Sequence, residues 1–304
     1  MKGIVLSFDP NLEIANLLVE TYNRLWPDCR FQFRIPFTDR DPRSIFRAQN
    51  VEFISTPPDI RSTVENLLRD LPEHEFVFWC IDDRYPIEIF EPTVLRAVRD
   101  FVSHEASDVD SIKLTDLTVE GIQGKLDRRL FSLRRWLRRT RSDSQPVGDD
   151  ETWRQREEAV AREPAFTLAG QRFFRQLGHP KNGFYMPQFT TPAFLKRFFL
   201  APALPLKYGI REFHHFLLSI NLEHKSYFPN KFLLSVGEST FRGRLSMVCY
   251  EQMLQFGVVP PKIEIVRDFK IYSDRGLTGI VELNSQPKHH RRIYTDRPPR
   301  RMGT

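Results

Sequence analysis

The sequence predicts an α/β protein whose mainly parallel sheet is covered by helices on both faces. Three observations predict it. Over residues 2–102, short apolar, β-branched runs alternate with segments whose apolar residues recur at helical spacing, the pattern of a parallel sheet with crossover helices. Each of the first four runs ends in polar residues: "SFDPN", "FTDRD", "STPPD" and "DDRYP". With 304 residues, 40% apolar and 28% charged, the chain is long and apolar enough to bury a sizeable core.

The first run, "KGIVLSF" (2–8), reads as a buried strand, and "NLEIANLLVETYNRLW" (11–26) follows with apolar residues at 14, 17, 18, 22 and 25. That stripe is helical, and Asn11 after Pro10 stands where a cap belongs. Strand-like "CRFQFRIPF" (29–37) leads to an Arg/Asp-rich loop, and "VEFIST" (51–56) leads through two prolines into a helix, "DIRSTVENLLRDL" (59–71). A fourth strand (76–81) precedes a helix over 91–102, with Pro92 in its first turn. "SIKLTDLTVEG" (111–121) reads as one more strand.

The middle of the chain differs in composition. Residues 121–165 read as a basic insertion, partly helical, with a flexible "TRSDSQPVGDDE" loop at 140–151. Regular structure resumes in "NGFYMPQFTTPAFLKRFFL" (182–200), with a strand and then a helix opened by Thr-Thr-Pro. It continues with a helix over 210–224, a strand over 231–239, a helix over 242–257 ended by Gly257, and further strands within 263–274. The expected organisation is a ligand-binding α/β half (1–120), the insertion (121–165), a second half of the same domain (166–280) and a basic, mobile tail (281–304).

Charge is concentrated. The formal net charge is +6, yet "KLDRRLFSLRRWLRRTR" (125–141) alone holds eight basic residues and one acidic one. Its apolar residues at 126, 130, 133 and 137 make a basic amphipathic helix, suited either to an anionic membrane surface or to packing on the domain with its arginines solvated. Nucleic acid is not expected as a partner, because no stacking array or known module accompanies the basic stretch. Cys29, Cys80 and Cys249 lack metal or redox spacing and read as reduced core residues. No apolar run reaches the roughly 18 residues of a membrane span, and the start lacks a signal-peptide pattern, so a cytoplasmic protein is expected, peripheral to the inner membrane surface through 125–141.

The chemistry centres on Asp82 and Asp83. Two like charges at the end of a buried strand require a cationic partner, either a metal ion or a neighbouring arginine such as Arg84. On an extended strand their side chains point to opposite faces, but a turn there lets one hold Mg²⁺ or Mn²⁺ and the other a ribose or sugar hydroxyl. A nucleoside diphosphate sugar suits that arrangement, with Asp9 among the strand-end residues contacting the nucleotide. A solvated acidic turn is the plainer alternative.

The run "FVFWCIDDRYP", followed by "FYMPQFTTPAFLKRFFL", "YGIREFHHFLLS" and "VGESTFRGRLS", resembles bacterial glycosyltransferases of the GT-A fold, in which an aspartate pair of the DxD type ends the fourth strand of a Rossmann-like sheet. This chain differs in having its aspartates adjacent and Arg84 directly after them. The resemblance implies a metal-assisted, inverting transfer of a sugar to a glycan or lipid-linked acceptor, with Asp82 and Asp83 as metal and donor residues. It also implies that the carboxylate of "REFHHF", Glu212, is the general base that takes the acceptor's proton. In "GESTFRGR" (237–244), Arg242 is placed to bind diphosphate, and His289 or His290 is a further candidate ligand. Two rival readings are a nucleotidyltransferase of similar fold, for which "SFDPN" lacks the expected glycines, and a non-catalytic scaffold that binds polyanions or membranes.

Overall fold

The structure is a computed structural model that describes residues 1–115, 160–177, 184–220, 222–241, 243–267, 269–273, 276–281 and 292–293. It is a mixed α/β molecule built on a nine-stranded central sheet. Four strands, β1 (Lys2–Leu6), β2 (Gln32–Phe37), β3 (Val51–Ser55) and β4 (Val77–Ile81), pair in parallel in the order β3-β2-β1-β4. They alternate with α1 (Leu12–Leu25) and α2 (Ile60–Leu68), as the apolar periodicity predicts. The expected Rossmann-like sheet flanked by helices is what the chain forms.

A fifth strand, β5 (Arg84–Ile89), leaves this sheet, and α3 (Pro92–His104) returns the chain to β6 (Ser111–Lys113). The hairpin β7 (Val160–Leu168) and β8 (Gln171–Gln176), then β9 (Gln188–Thr190) and β10 (Ser226–Pro229), complete the central sheet in the order β3-β2-β1-β4-β9-β6-β10-β8-β7. Only β9 and β8 oppose the other seven strands, so the sheet is mostly parallel. Between β9 and β10 lie α4 (Pro192–Phe199) and α5 (Ile210–Ser219).

Strand alternation explains why both faces are covered. On β4, Phe78 and Cys80 join the core under α1 and α3, whereas Val77 and Trp79 join the core under α2, α4 and α5. Val5 and Ile4 of β1 divide in the same way. The three cysteines are free and buried.

A second, five-stranded sheet joins β5 to the C-terminal part of the chain. Its order is β17 (Arg292–Ile293), β16 (Gly276–Val281), β15 (Phe269–Ser273), β11 (Leu234–Glu238), β5. A small third sheet, β12 (Thr240–Phe241), β13 (Arg244–Ser246) and β14 (Ile265–Val266), precedes and follows α6 (Met247–Phe256). Residues 160–165 therefore begin a strand, and Arg292–Ile293 pairs with β16 inside the segment expected as a tail.

Three departures from the sequence-based element assignments have local causes. Pro86 signals a turn, yet β5 is the edge strand of its sheet, where a missing N–H is tolerated. The helix expected over 242–257 begins at Met247, because Ser246 caps it by accepting the Cys249 N–H at 3.2 Å. "GESTFRGR" is a strand end and a hairpin, turned at Gly243 with φ of 77°.

Gly237 is required for the β5–β11 pairing. It lies opposite Tyr85, and a Cβ there would stand 2.9 Å from both Tyr85 Cζ and Ile87 Cδ1. Gly237→Ala is expected to lower stability by about 1–3 kcal/mol, the usual range for overpacking. Thermal denaturation measures it, and an unchanged midpoint would refute the close approach.

Candidate functional site

The polar ends of β1, β2, β3 and β4 converge on one cavity of about 720 Å³. A site beyond the carboxyl ends of parallel strands is where an open α/β sheet places its ligands. Ser7, Phe8 and Asp9 follow β1, Thr38 and Asp39 follow β2, Thr56 to Asp59 follow β3, and Asp82 and Asp83 follow β4. Arg84, Thr240, Tyr185 and Ile210 close the remaining walls. Of the residues expected from sequence, Asp9, Asp82, Asp83 and Arg84 are thus brought together.

Asp9 builds a wall of this cavity. Its Oδ1 accepts the Thr38 N–H at 2.8 Å, and its Oδ2 accepts the N–H groups of Asp39 and Arg40, each at 2.8 Å. Against the burial that would raise it, these donors and the Arg40 charge hold the Asp9 carboxyl below its ordinary range. Arg40 in turn reaches Glu13 on α1, with one arm at 3.0 Å. The loop after β2 is therefore fixed from two sides. Asp59 is likewise committed, capping α2 through the Ser62 N–H at 2.9 Å.

The turn between β4 and β5 separates the paired aspartates. Asp82 faces inward, is 5% exposed, and accepts the Ser7 hydroxyl at 2.7 Å. Burial, reinforced by the charge of Asp83, pushes its carboxyl up to about 7 against the hydrogen bonds from Ser7 and Asn11. Asp83 points the other way and is surrounded by donors. Its Oδ2 accepts Arg84 Nη1 at 2.6 Å; its Oδ1 accepts the Thr240 hydroxyl at 3.1 Å, the Thr240 N–H at 3.3 Å and the Ser239 hydroxyl at 3.4 Å.

Arg84 bridges the two sheets. Its Nη2 lies 2.9 Å from Glu238 Oε1, an oxygen that also accepts the Tyr272 hydroxyl at 2.8 Å. The guanidinium carbon stands 5.4 Å from the Tyr272 ring centroid. Burial alone would favour loss of its proton, but Asp83, Tyr272 and Glu238 outweigh it and raise the pKa, so Arg84 is charged at every working pH.

This donor set does not fit a Mg²⁺ or Mn²⁺ ion held by the aspartate pair. Hard cations need open carboxylate oxygens, and those of Asp83 are already shared among Arg84, Ser239 and Thr240. Among the described residues, no three His, Cys, Asp or Glu side chains are grouped to hold a metal. The cation that the sequence requires beside Asp83 is Arg84.

Glu212 is not on this cavity. It lies on a neighbouring cleft of about 490 Å³ with Lys207 and Tyr208, and the two share Pro58, Asp59 and Ile60. Its carboxylate is the cap of α5, accepting the Gly209 N–H at 3.0 Å. Arg242, His289, His290 and the basic stretch 125–141 lie outside the described residues. Ser7 lies within the strand end "SFDPN" that the sequence places here, whereas Thr240, Glu238 and Tyr272 have no individual role in the sequence reading. Glu238 is aligned with Arg84 only through the β5–β11 register, which required recognising β5 as a strand despite Pro86.

No family model and no curated protein matches the chain. Among solved structures, the galactosyltransferase LgtC in complex with donor and acceptor sugar analogues is 12% identical over 65% of this chain and 60% of that one, with a TM-score of 0.32. An active-site mutant of LgtC is 11% identical over 72% and 70%, with a TM-score of 0.33. The 4-diphosphocytidyl-2C-methyl-D-erythritol synthase from Anaerococcus prevotii is 10% identical over 75% and 86%, with a TM-score of 0.32. The chain thus spans about 60% of the length of the first of these.

The raised Asp82 pKa has a signed consequence. Because the folded value, about 7, exceeds the unfolded 3.8, the folded protein holds an extra proton between them. Stability from this group therefore falls as pH rises through that window, and is level above it. Asp82→Asn keeps the acceptor for Ser7 and removes the titration. It is expected to melt at a higher temperature than wild type at pH 8 but not at pH 4, as measured by scanning fluorimetry; parallel pH profiles would contradict this.

Proposed function

We propose that the strand-end cavity binds a nucleoside diphosphate sugar and that the chain is a glycosyltransferase, moving the sugar to a glycan or lipid-linked acceptor. The observation that carries this reading is the convergence of four polar strand ends on one cavity with Asp82, Asp83 and Arg84 at its inner wall. Phe8 and Ile210 remain 57% and 55% exposed on that cavity, apolar surface that a planar base or the face of a sugar ring covers on binding. Ser7, Asp82 and Thr240 supply the acceptors and donors that hydroxyl groups need. The sequence resemblance to GT-A glycosyltransferases supports the same assignment.

In this reading the acceptor enters by the neighbouring cleft, where Glu212 stands at the start of α5. Inversion at the anomeric carbon needs a base to take the acceptor's hydroxyl proton as its oxygen attacks and the nucleoside diphosphate leaves. Glu212 accepts the Gly209 N–H on Oε2, which leaves its other oxygen for the acceptor's proton while the helix stays capped. No step is assigned to a divalent ion. Arg242 remains a candidate diphosphate contact by its place in "TFRGR".

The basic stretch 125–141 is assigned to an anionic membrane surface, which presents a lipid-linked acceptor to a peripheral enzyme in the cytoplasm. Among the described residues, no helix is long and apolar enough to cross a membrane.

Calorimetric titration with a panel of nucleoside diphosphate sugars tests the donor assignment. One donor is expected to bind, and Arg84→Met to weaken it by about tenfold or more, the scale of one lost charge-assisted bond. Failure of every donor, or consumption of a nucleoside triphosphate with pyrophosphate release, would refute it, the second outcome indicating a nucleotidyltransferase. Glu212→Gln is expected to reduce transfer by about 10²–10⁴-fold with donor affinity unchanged; full activity would remove it as the base. Deletion of 125–141 is expected to abolish co-sedimentation with anionic vesicles.

A further inference from the structure

We propose that Arg84 is the built-in cation of this cavity: it closes Asp83 to divalent metal ions and itself offers an N–H donor to a phosphate-bearing ligand. Three elements hold it in place. Nη1 donates to the Asp83 carboxylate at 2.6 Å and to its backbone oxygen at 3.0 Å, Nη2 reaches Glu238 of β11 at 2.9 Å, and Tyr272 of β15 both flanks the guanidinium and donates to Glu238. Three of its five N–H groups are thereby engaged and the Nε N–H is buried without an acceptor, which leaves one Nη2 N–H for a ligand on a group that lines the cavity.

A divalent ion has to displace this arrangement to reach Asp83. Mg²⁺ or Mn²⁺ at Asp83 would have to break its bond to Arg84, and the charged guanidinium, still held by Glu238, would stay close enough to repel the ion. Most of the remaining carboxylates are already engaged by the protein. Asp9 already accepts three backbone N–H groups, Asp59 caps α2, and Asp82 is buried against Ser7; among the described residues that line the cavity, Asp39 is the aspartate without a protein donor on its carboxylate. The cavity's lining of five aspartates is acidic by count, but four of them are spent on structure.

The part of this inference that concerns a phosphate-bearing ligand rests on the proposed function; the part that concerns the metal does not. Mn²⁺ alone is therefore the first probe, followed by the loss of its free-ion EPR signal on addition of the full-length protein. Wild type is expected to bind none at the Asp pair, Arg84→Met to gain one site, and Arg84→Met combined with Asp83→Asn to lose it again. One Mn²⁺ per wild-type chain that Asp83→Asn removes would overturn the proposal. So would an Arg84→Met protein with unaltered circular dichroism that takes up no Mn²⁺; should that variant not fold, the wild-type titration decides alone.

The second probe is the donor identified in the panel, titrated into wild type with EDTA or with Mn²⁺. Equal affinities are expected, and a loss with EDTA of about tenfold or more would overturn the role of Arg84 toward phosphate. A protein that binds no nucleotide in either buffer fails the glycosyltransferase reading and the phosphate role, yet leaves the Mn²⁺ result standing. The two failures are thus told apart.

Discussion

The ion pair between Asp83 and Arg84 is the interaction on which the rest of the site depends. It lies at the point where the chain leaves the central sheet and enters the second one, so its two members belong to the turn after β4 and to the first residue of β5. Arg84 extends the link to Glu238 of β11, and Asp83 extends it to Thr240 of β12. The pair, largely shielded on its Arg84 side, therefore ties together all three sheets. Breaking such a pair on one side strands a charge in a poorly solvated place, which makes the arrangement a stringent requirement on the local fold.

Much of the fold is legible in the sequence, for physical reasons that can be named. α1 and α2 carry regular apolar stripes, β1 and β4 carry the continuous apolar runs of strands buried on both faces, and β2 alternates Phe33 and Ile35 with Arg34. The cavity is legible too, because in a parallel sheet the polar residues that follow consecutive strands must meet at one edge. What is not legible depends on partners distant in sequence. β5 carries a proline that argues against a strand until its position at the edge of a sheet is known. The hairpin of β7 and β8 has no period distinct from its charged surroundings, and Glu238 acquires meaning only through a register with residues more than a hundred positions earlier.

Type of residue and role also part company at the strand ends. Asp9, Asp59 and Asp83 share one side chain and one cavity, and composition treats them alike. The backbone decides otherwise: Asp9 gathers the N–H groups of the loop after β2, Asp59 takes the Ser62 N–H in the first turn of α2, and Asp83 gathers a guanidinium and two hydroxyls. Each carboxylate satisfies donors that would otherwise be left without partners beside a cavity. Asp82 is the exception. It has only short polar partners, and burial moves its titration toward neutrality, so it is the member of the pair whose charge is most easily altered by what enters.

The division of labour between adjacent aspartates follows from strand geometry. Neighbouring side chains on extended backbone point to opposite faces, and the turn after β4 relaxes this only in part: Asp82 stays with Ser7 beside β1, whereas Asp83 swings toward β12. A pair spaced by one residue would project to the same side and leave a cation between its members. The contiguous pair instead places an arginine within reach of the second aspartate, at the next position in the chain. The adjacency of Asp82, Asp83 and Arg84 is therefore the primary-structure origin of a site that carries its own cationic group.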